Sequence, residues 1–130
     1  MIAAVDPGRD KCGLAVLEND NHVLLKEVIL RQDLAKRLKV VADNYNLELI
    51  ALGNATASQK IKEVIIKLGL TVKMIDETNS TLAARNLYWA DHPPQGWRKL
   101  IPTSLQTPQR AIDDYAAIIL AHRALQQLKR

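Results

Sequence analysis

The chain has 130 residues, with 18 Lys and Arg against 14 Asp and Glu, and this length favours a single domain over residues 1–130. The only cysteine is Cys12, which excludes an intramolecular disulfide within this sequence, and the absence of Phe argues against an RNA-recognition sheet with stacked aromatic side chains. No apolar run approaches the roughly 18 residues of a membrane helix. The N-terminal apolar run is too short for a signal peptide, so we expect a cytoplasmic protein without membrane association.

The first part of the chain predicts three strands joined by short turns, over residues 2–5, 13–17 and 22–30. Connections this short favour an antiparallel meander. The apolar spacing then alternates between helix and strand, with helices over residues 32–46, 61–68 and 80–90 and strands over 49–52 and 72–75. Residues 91–108 carry four of the five prolines and predict a long loop, and residues 109–128 predict the last helix.

This order of elements predicts an α/β fold with a five-stranded mixed sheet. A meander followed by alternating units places the first, fourth and fifth strands parallel to one another. Helices are then expected on both faces of the sheet.

Acidic residues follow two of the strands that are predicted to be parallel. Asp6 follows the first strand, and Asp76 and Glu77 follow the fifth. Because the carboxyl ends of parallel strands share one edge of the sheet, these side chains are expected to meet there. Asp113 and Asp114 open the last helix on either side of its apolar stripe, where an unpaired charge is costly.

A cation resolves the repulsion among such carboxylates. Ligand sets made only of oxygen atoms suit Mg²⁺ or Mn²⁺. The three histidines, His22, His92 and His122, lack the spacing of zinc ligands. Two such ions at one site could activate water and stabilise the leaving oxygen in phosphodiester cleavage.

Three segments of the chain resemble the acidic motifs of the YqgF (RuvX) family: residues 4–8 (AVDPG), 76–81 (DETNST) and 112–117 (IDDYAA). Members of that family are RNase H-like proteins similar to Holliday-junction resolvases, and they are implicated in maturing pre-16S ribosomal RNA. The resemblance implies an RNase H-like nuclease whose metal ligands and catalytic residues are Asp6, Glu77 and Asp113. It prefers Asp113 to Asp114, a choice that periodicity alone leaves open. The implied partner is junction DNA or structured RNA, and a two-fold dimer would suit a symmetric junction.

Basic residues near these motifs are candidates for phosphate binding. As a set around one edge of the sheet they would supply salt-dependent affinity for nucleic acid. The candidates are Arg9, Lys11, Lys60, Arg85, Arg98, Lys99 and Arg110.

Two other interpretations stay open. The chain departs from the YqgF pattern at Thr78, where the family has a basic residue, and at residues 53–55, where it has a Gly-Leu-Pro turn. These departures leave room for a nucleic-acid-binding module on the same fold that does not cut. A sugar-kinase or actin-like phosphotransferase also begins with an acidic, glycine-containing turn, but such enzymes need two related domains.

Trp97, in the long loop, is expected either to pack against the domain or to stack on a base.

Overall fold

The computed structural model describes residues 1–55, 58–103 and 112–129. Its sheet has five strands in the order β3-β2-β1-β4-β5. The β1–β2 and β2–β3 pairs are antiparallel, and the β1–β4 and β4–β5 pairs are parallel. The predicted α/β class and mixed sheet are therefore confirmed. The strands are β1 (Ile2–Asp6), β2 (Lys11–Leu17), β3 (Val23–Leu30), β4 (Leu49–Gly53) and β5 (Val72–Ile75).

Four α-helices accompany the sheet within the described residues: α1 (Leu34–Asn44), α2 (Ser58–Lys67), α3 (Ser80–Asp91) and α4 (Asp113–Leu128). Short 3₁₀ helices occupy Arg31–Asp33 and Gly96–Leu100. None of the described helices is both long and apolar enough to cross a membrane.

The alternation of side chains along the strands builds two separate cores. Ala3 and Val5 of β1 point to the face covered by α1 and α2. Ile2 and Ala4 point to the opposite face, which is covered by α3 and α4. Helices thus lie on both faces, as predicted.

Helix α4 packs across all five strands, and small side chains permit this. Ala4 pairs with Ala15 on one side and with Ala51 on the other, so three alanines lie next to one another beneath the helix. The helix presents alanines in return, including Ala117 and Ala121. Because neither surface carries bulky side chains at these positions, the helix lies close to the sheet.

Several predicted boundaries differ from the structure. Strand β2 begins at Lys11, two residues earlier than expected, since these residues continue the antiparallel ladder opposite β3. Helix α4 begins at Asp113 and not at residue 109, because Ile112 has a non-helical backbone; residues 109–111 lie outside the described residues. In the expected loop, α3 continues through Asp91 and Gly96–Leu100 forms a 3₁₀ helix.

Candidate metal and nucleic-acid site

Three elements deliver the three predicted acids to one edge of the sheet. Asp6 ends β1, Glu77 follows the end of β5, and Asp113 opens α4. By alternation along β1, Asp6 lies on the same face as Ala4, which is the face covered by α4.

Two glycines make room for this convergence. A Cβ added to Gly53, at the end of β4, would lie 2.9 Å from the Glu77 Cγ and closer still to its carboxylate. A Cβ added to Gly13 would overlap the Asp113 carbonyl and lie 3.0 Å from the Asp114 backbone nitrogen. Gly13 is also the pairing partner of Asp6 across the β1–β2 ladder. The absence of a side chain at Gly53 therefore leaves space for the Glu77 side chain, and the absence of one at Gly13 lets the start of α4 approach Asp6.

The backbone around Glu77 is fixed from two directions. The Glu77 amide donates to Oδ1 of Asn54 at 3.3 Å, and Nη1 of Arg123 donates to the Asp76 carbonyl at 2.7 Å. Asp76 itself turns to its own loop and accepts bonds from the Thr78 amide at 3.0 Å and the Thr78 hydroxyl at 2.7 Å. These hydrogen bonds hold the pKa of the exposed Asp76 below its ordinary value, and the bond from the Thr78 hydroxyl has the largest effect. Asp76 therefore forms a turn while Glu77 enters the site.

The closeness of the acids appears most clearly at Asp6. Burial raises the pKa of Asp6 from its ordinary value of 3.8 to about 8, with further contributions from a side-chain hydrogen bond with Glu77 and from the charges of Glu77 and Asp113. A hydrogen bond between two carboxyl groups requires that one of them carry a proton. Without a cation, the Asp6 carboxyl group therefore retains its proton near neutral pH.

Asp113 and Asp114 have different surroundings. Asp113 is half-buried, and its charge acts on Asp6. Burial and the charge of Asp114 raise the pKa of Asp113, while the Lys11 ammonium opposes them. Asp114 is only 4% exposed and its Oδ1 accepts a bond from the Tyr115 amide at 3.0 Å. Asp113 is therefore the member of the pair that interacts with Asp6.

The donor set fits a hard divalent cation in its chemistry, since the side chains that converge offer only carboxylate oxygens. The repulsion that raises the pKa of Asp6 is also what a bound cation would remove. The set of metal ligands is incomplete, because within the described residues no three His, Cys, Asp or Glu side chains are arranged to hold one metal ion. Asp6 and Glu77 are in direct contact, and Asp113 influences them through its charge.

The predicted phosphate-binding residues divide into two groups. Arg9 and Lys11 are exposed beside the β1–β2 turn, next to Asp6, and Lys60 is exposed in the first turn of α2. Arg98 and Lys99 are exposed on the 3₁₀ helix that follows α3. Arg85 is partly buried in α3, and Arg110 lies outside the described residues.

The structure adds a cation that the sequence analysis did not select. Arg31, directly after β3, donates from Nη1 to the Gly8 carbonyl at 3.3 Å. It lines one groove with Arg9 and a second groove with Lys60. Arg31 thus connects these two cations into one basic rim. No local sequence signal marks it, because only the pairing of β3 with β2 brings it to this edge.

A second feature that sequence reasoning missed joins α3 to α4. Tyr115 accepts a hydrogen bond from Lys26 Nζ at 2.9 Å and donates one to Asp91 Oδ2 at 2.9 Å. Its ring meets that of Tyr88 edge to face, with centroids 5.7 Å apart.

Trp97 is 68% exposed, so the expectation that it packs against the domain is wrong.

Two solved structures of Thermus thermophilus RuvC have a fold similar to that of this chain. The structure of Thermus thermophilus RuvC superposes with a TM-score of 0.53 at 15% sequence identity, covering 96% of each chain. T. thermophilus RuvC in complex with a Holliday junction substrate gives a TM-score of 0.56 at 13% identity, covering 98% of this chain and 96% of that one. The chain has the RNase H-like fold. No protein-family model and no curated protein sequence matches the chain. Because the sequence identities to RuvC are only 15% and 13%, these similarities concern the fold alone.

Proposed function

We propose that this protein is a divalent-metal-dependent endonuclease that hydrolyses phosphodiester bonds in structured nucleic acid. The observation that carries the proposal is the contact of Asp6 with Glu77 at one edge of the sheet, where the charge of Asp113 also acts on Asp6 and Gly13 and Gly53 leave space for the three acids. A protein without use for this cluster would gain stability by replacing acids that repel one another. The similarity of the fold to RuvC, one structure of which holds a Holliday junction substrate, supports the same class of ligand.

Asp6 and Glu77 would hold Mg²⁺ or Mn²⁺, and Asp113 would complete the ligand set from α4. A bound divalent ion supplies activation of water and stabilisation of charge on the leaving oxygen. Because the carboxyl proton of Asp6 would compete with a cation, binding of the ion would be coupled to proton release. Asn54 and Arg123 hold the backbone on either side of the 76–77 peptide bond in place.

The basic rim formed by Arg9, Arg31 and Lys60, together with Lys11, would bind the phosphates on either side of the scissile bond. Lys11 has a second effect, because its ammonium favours the ionised form of Asp113. The substrates that the YqgF resemblance implies are junction DNA and pre-16S ribosomal RNA. A two-fold dimer would match the symmetry of a junction.

One observation favours a second candidate, a module that binds nucleic acid on this fold without cutting it. No three acidic, histidine or cysteine side chains of the described ranges are arranged to hold an ion. In a binding module, the basic rim would keep its role and the acids would have no ion to bind.

The test is a cleavage assay with Mg²⁺ or Mn²⁺ on three substrates: a four-way DNA junction, a DNA duplex and a structured RNA. We expect cleavage of the junction or the RNA with either ion, and none in EDTA. Calorimetric titration of the protein with Mn²⁺ runs in parallel and should show binding with proton release. Binding of nucleic acid without cleavage and without binding of Mn²⁺ would favour the second candidate instead.

A further inference from the structure

A cleft of about 530 Å³ lies between the C-terminal end of α3 and the 3₁₀ helix Gly96–Leu100. Its volume is in the range of small-ligand sites in proteins. It is separate from Asp6, Glu77 and Asp113 and from the basic rim, none of which lines it. Its walls include Tyr88, Trp89, Asp91, His92, Pro94 and Arg98.

The walls of the cleft are aromatic and mutually supported. The imidazole of His92 stacks on the Tyr88 ring with centroids 4.7 Å apart and planes inclined by 21°. Trp89 meets Tyr88 edge to face at 5.1 Å. Tyr88 is only 6% exposed and anchors the set, whereas His92 is exposed and offers its ring to a ligand. A planar aromatic ligand matches such a surface, because stacking needs only a second π face.

The polar groups of the cleft fit a nucleotide. The Arg98 guanidinium provides a cation for a phosphate, with Lys99 exposed beside it. The Asp91 carboxylate accepts one bond from the Tyr115 hydroxyl at 2.9 Å and has lone pairs for further donors. The exocyclic amino groups of cytosine, adenine and guanine are donors of this kind. Thymine has no amino group, and its N3–H lies between two carbonyl oxygens that repel a carboxylate.

The cleft is also connected to the acidic site. Tyr115, which holds Asp91, is two residues after Asp113 on α4. The first turn of α4 therefore carries both an acid of the site and the tyrosine that supports the wall of the cleft.

We propose that the cleft binds one unpaired base of the nucleic-acid substrate, stacked on His92, with Asp91 accepting from its amino group and Arg98 binding its phosphate. This inference rests on the proposed function and narrows it, because a base inside a duplex cannot enter the cleft. The protein then selects substrates in which a nucleotide near the scissile phosphate is unpaired, or can be extruded from the duplex. It also discriminates among bases at that position, favouring cytosine over thymine.

The test measures equilibrium binding in EDTA, where cleavage cannot interfere. The probes are a DNA duplex with a single-stranded extension and a series in which one base of the extension is removed at each position in turn. Removing a base leaves the phosphate charge unchanged. We expect one position at which base removal weakens binding about tenfold, and weaker binding of thymine than of cytosine there.

Two variants assign this effect to the cleft. His92→Ala should remove the sensitivity to base removal, whereas His22→Ala, an exposed histidine in the β2–β3 turn at the opposite edge of the sheet, should retain it. Circular dichroism establishes that both variants are folded. A wild-type protein that binds and cuts nucleic acid but binds every probe of the series equally would overturn the cleft proposal and leave the nuclease proposal intact. The same holds if His92→Ala keeps the sensitivity. Absence of any binding to these probes and to their RNA counterparts would overturn both proposals.

Discussion

Substituting the two glycines of the site by alanine should separate the integrity of the acidic cluster from the stability of the fold. In Gly53→Ala the new methyl group meets the side chain of Glu77, with Cδ at 2.5 Å and Cγ at 2.9 Å from the added carbon. In Gly13→Ala it meets the backbone of Asp113 and Asp114. A side chain can rotate away from such an overlap, but the first turn of a helix cannot.

The expected magnitudes follow from this difference. Neither Gly13 nor Gly53 has a positive φ, so alanine is compatible with the backbone dihedral angles at both positions and only the overlaps of its methyl group matter. In Gly53→Ala the strand gains about 0.5–1 kcal/mol from reduced chain entropy, which offsets the displacement of Glu77, and the Tm should stay within about 4 °C of wild type. In Gly13→Ala, overpacking against the backbone of α4 should cost about 1–3 kcal/mol, lowering the Tm by about 4–12 °C.

Two measurements on metal-free protein, and a cleavage assay with Mn²⁺, check the pair of variants. Thermal denaturation gives the stability, and an NMR titration of the carboxyl carbons gives the pKa of Asp6. We expect Gly53→Ala to lower the pKa of Asp6 below about 8, because the hydrogen bond and charge of Glu77 move away while the larger effect of burial remains, and to lose cleavage. Gly13→Ala should change this pKa less. An unchanged pKa of Asp6 together with full cleavage in Gly53→Ala, or wild-type stability in Gly13→Ala, would refute these expectations.

Three further outcomes are expected. The pKa of Asp6 is raised from 3.8 to about 8 on folding, so its contribution to the unfolding free energy of metal-free protein is fully present below pH 4 and lost as the pH rises through 8. Urea denaturation should show the unfolding free energy falling by at most ~6 kcal/mol over this range. Asp6→Asn should make the unfolding free energy less dependent on pH. Replacing Arg9 and Lys11 by Gln should reduce the slope of log K against log salt for duplex DNA by about 0.9 for each phosphate that these side chains neutralise, and an unchanged slope in a binding titration would contradict their assignment. Tyr115→Phe removes two hydrogen bonds between distant elements and should cost about 1–3 kcal/mol in urea denaturation; a loss below the error of the fit would show that the network is not stabilising.

The sequence was sufficient to predict the fold and the elements that carry Asp6, Glu77 and Asp113 to one edge of the sheet, whereas their binding of a metal ion stays a prediction. Asp6 and Glu77 could be placed because each directly follows an apolar strand, and the carboxyl ends of parallel strands share an edge. Asp113 could be placed at the start of the last helix by the helical apolar pattern. These predictions use only local spacing and one rule of topology.

The parts that the sequence did not predict depend on pairing register and on contacts between distant positions. The need for Gly13 arises only because β2 pairs with β1 so that residue 13 lies opposite Asp6, beneath the helix. Lys26 and Tyr115 are separated by 89 residues, and no local pattern relates them. The predicted loop over residues 91–108 also obscured the cleft, because proline content indicates irregular backbone and does not indicate what that backbone encloses.

The most direct test of the account compares single-turnover cleavage by Asp113→Asn and Asp114→Asn in the presence of Mn²⁺. Each substitution removes one charge and keeps the side-chain shape, and the two positions are adjacent on α4. We expect Asp113→Asn to abolish cleavage while leaving nucleic-acid binding unchanged, as Asp6→Asn and Glu77→Gln should, and we expect Asp114→Asn to have a milder effect. Cleavage by Asp113→Asn or by Asp6→Asn at the wild-type rate, with contaminating nuclease excluded, would contradict the metal-site mechanism.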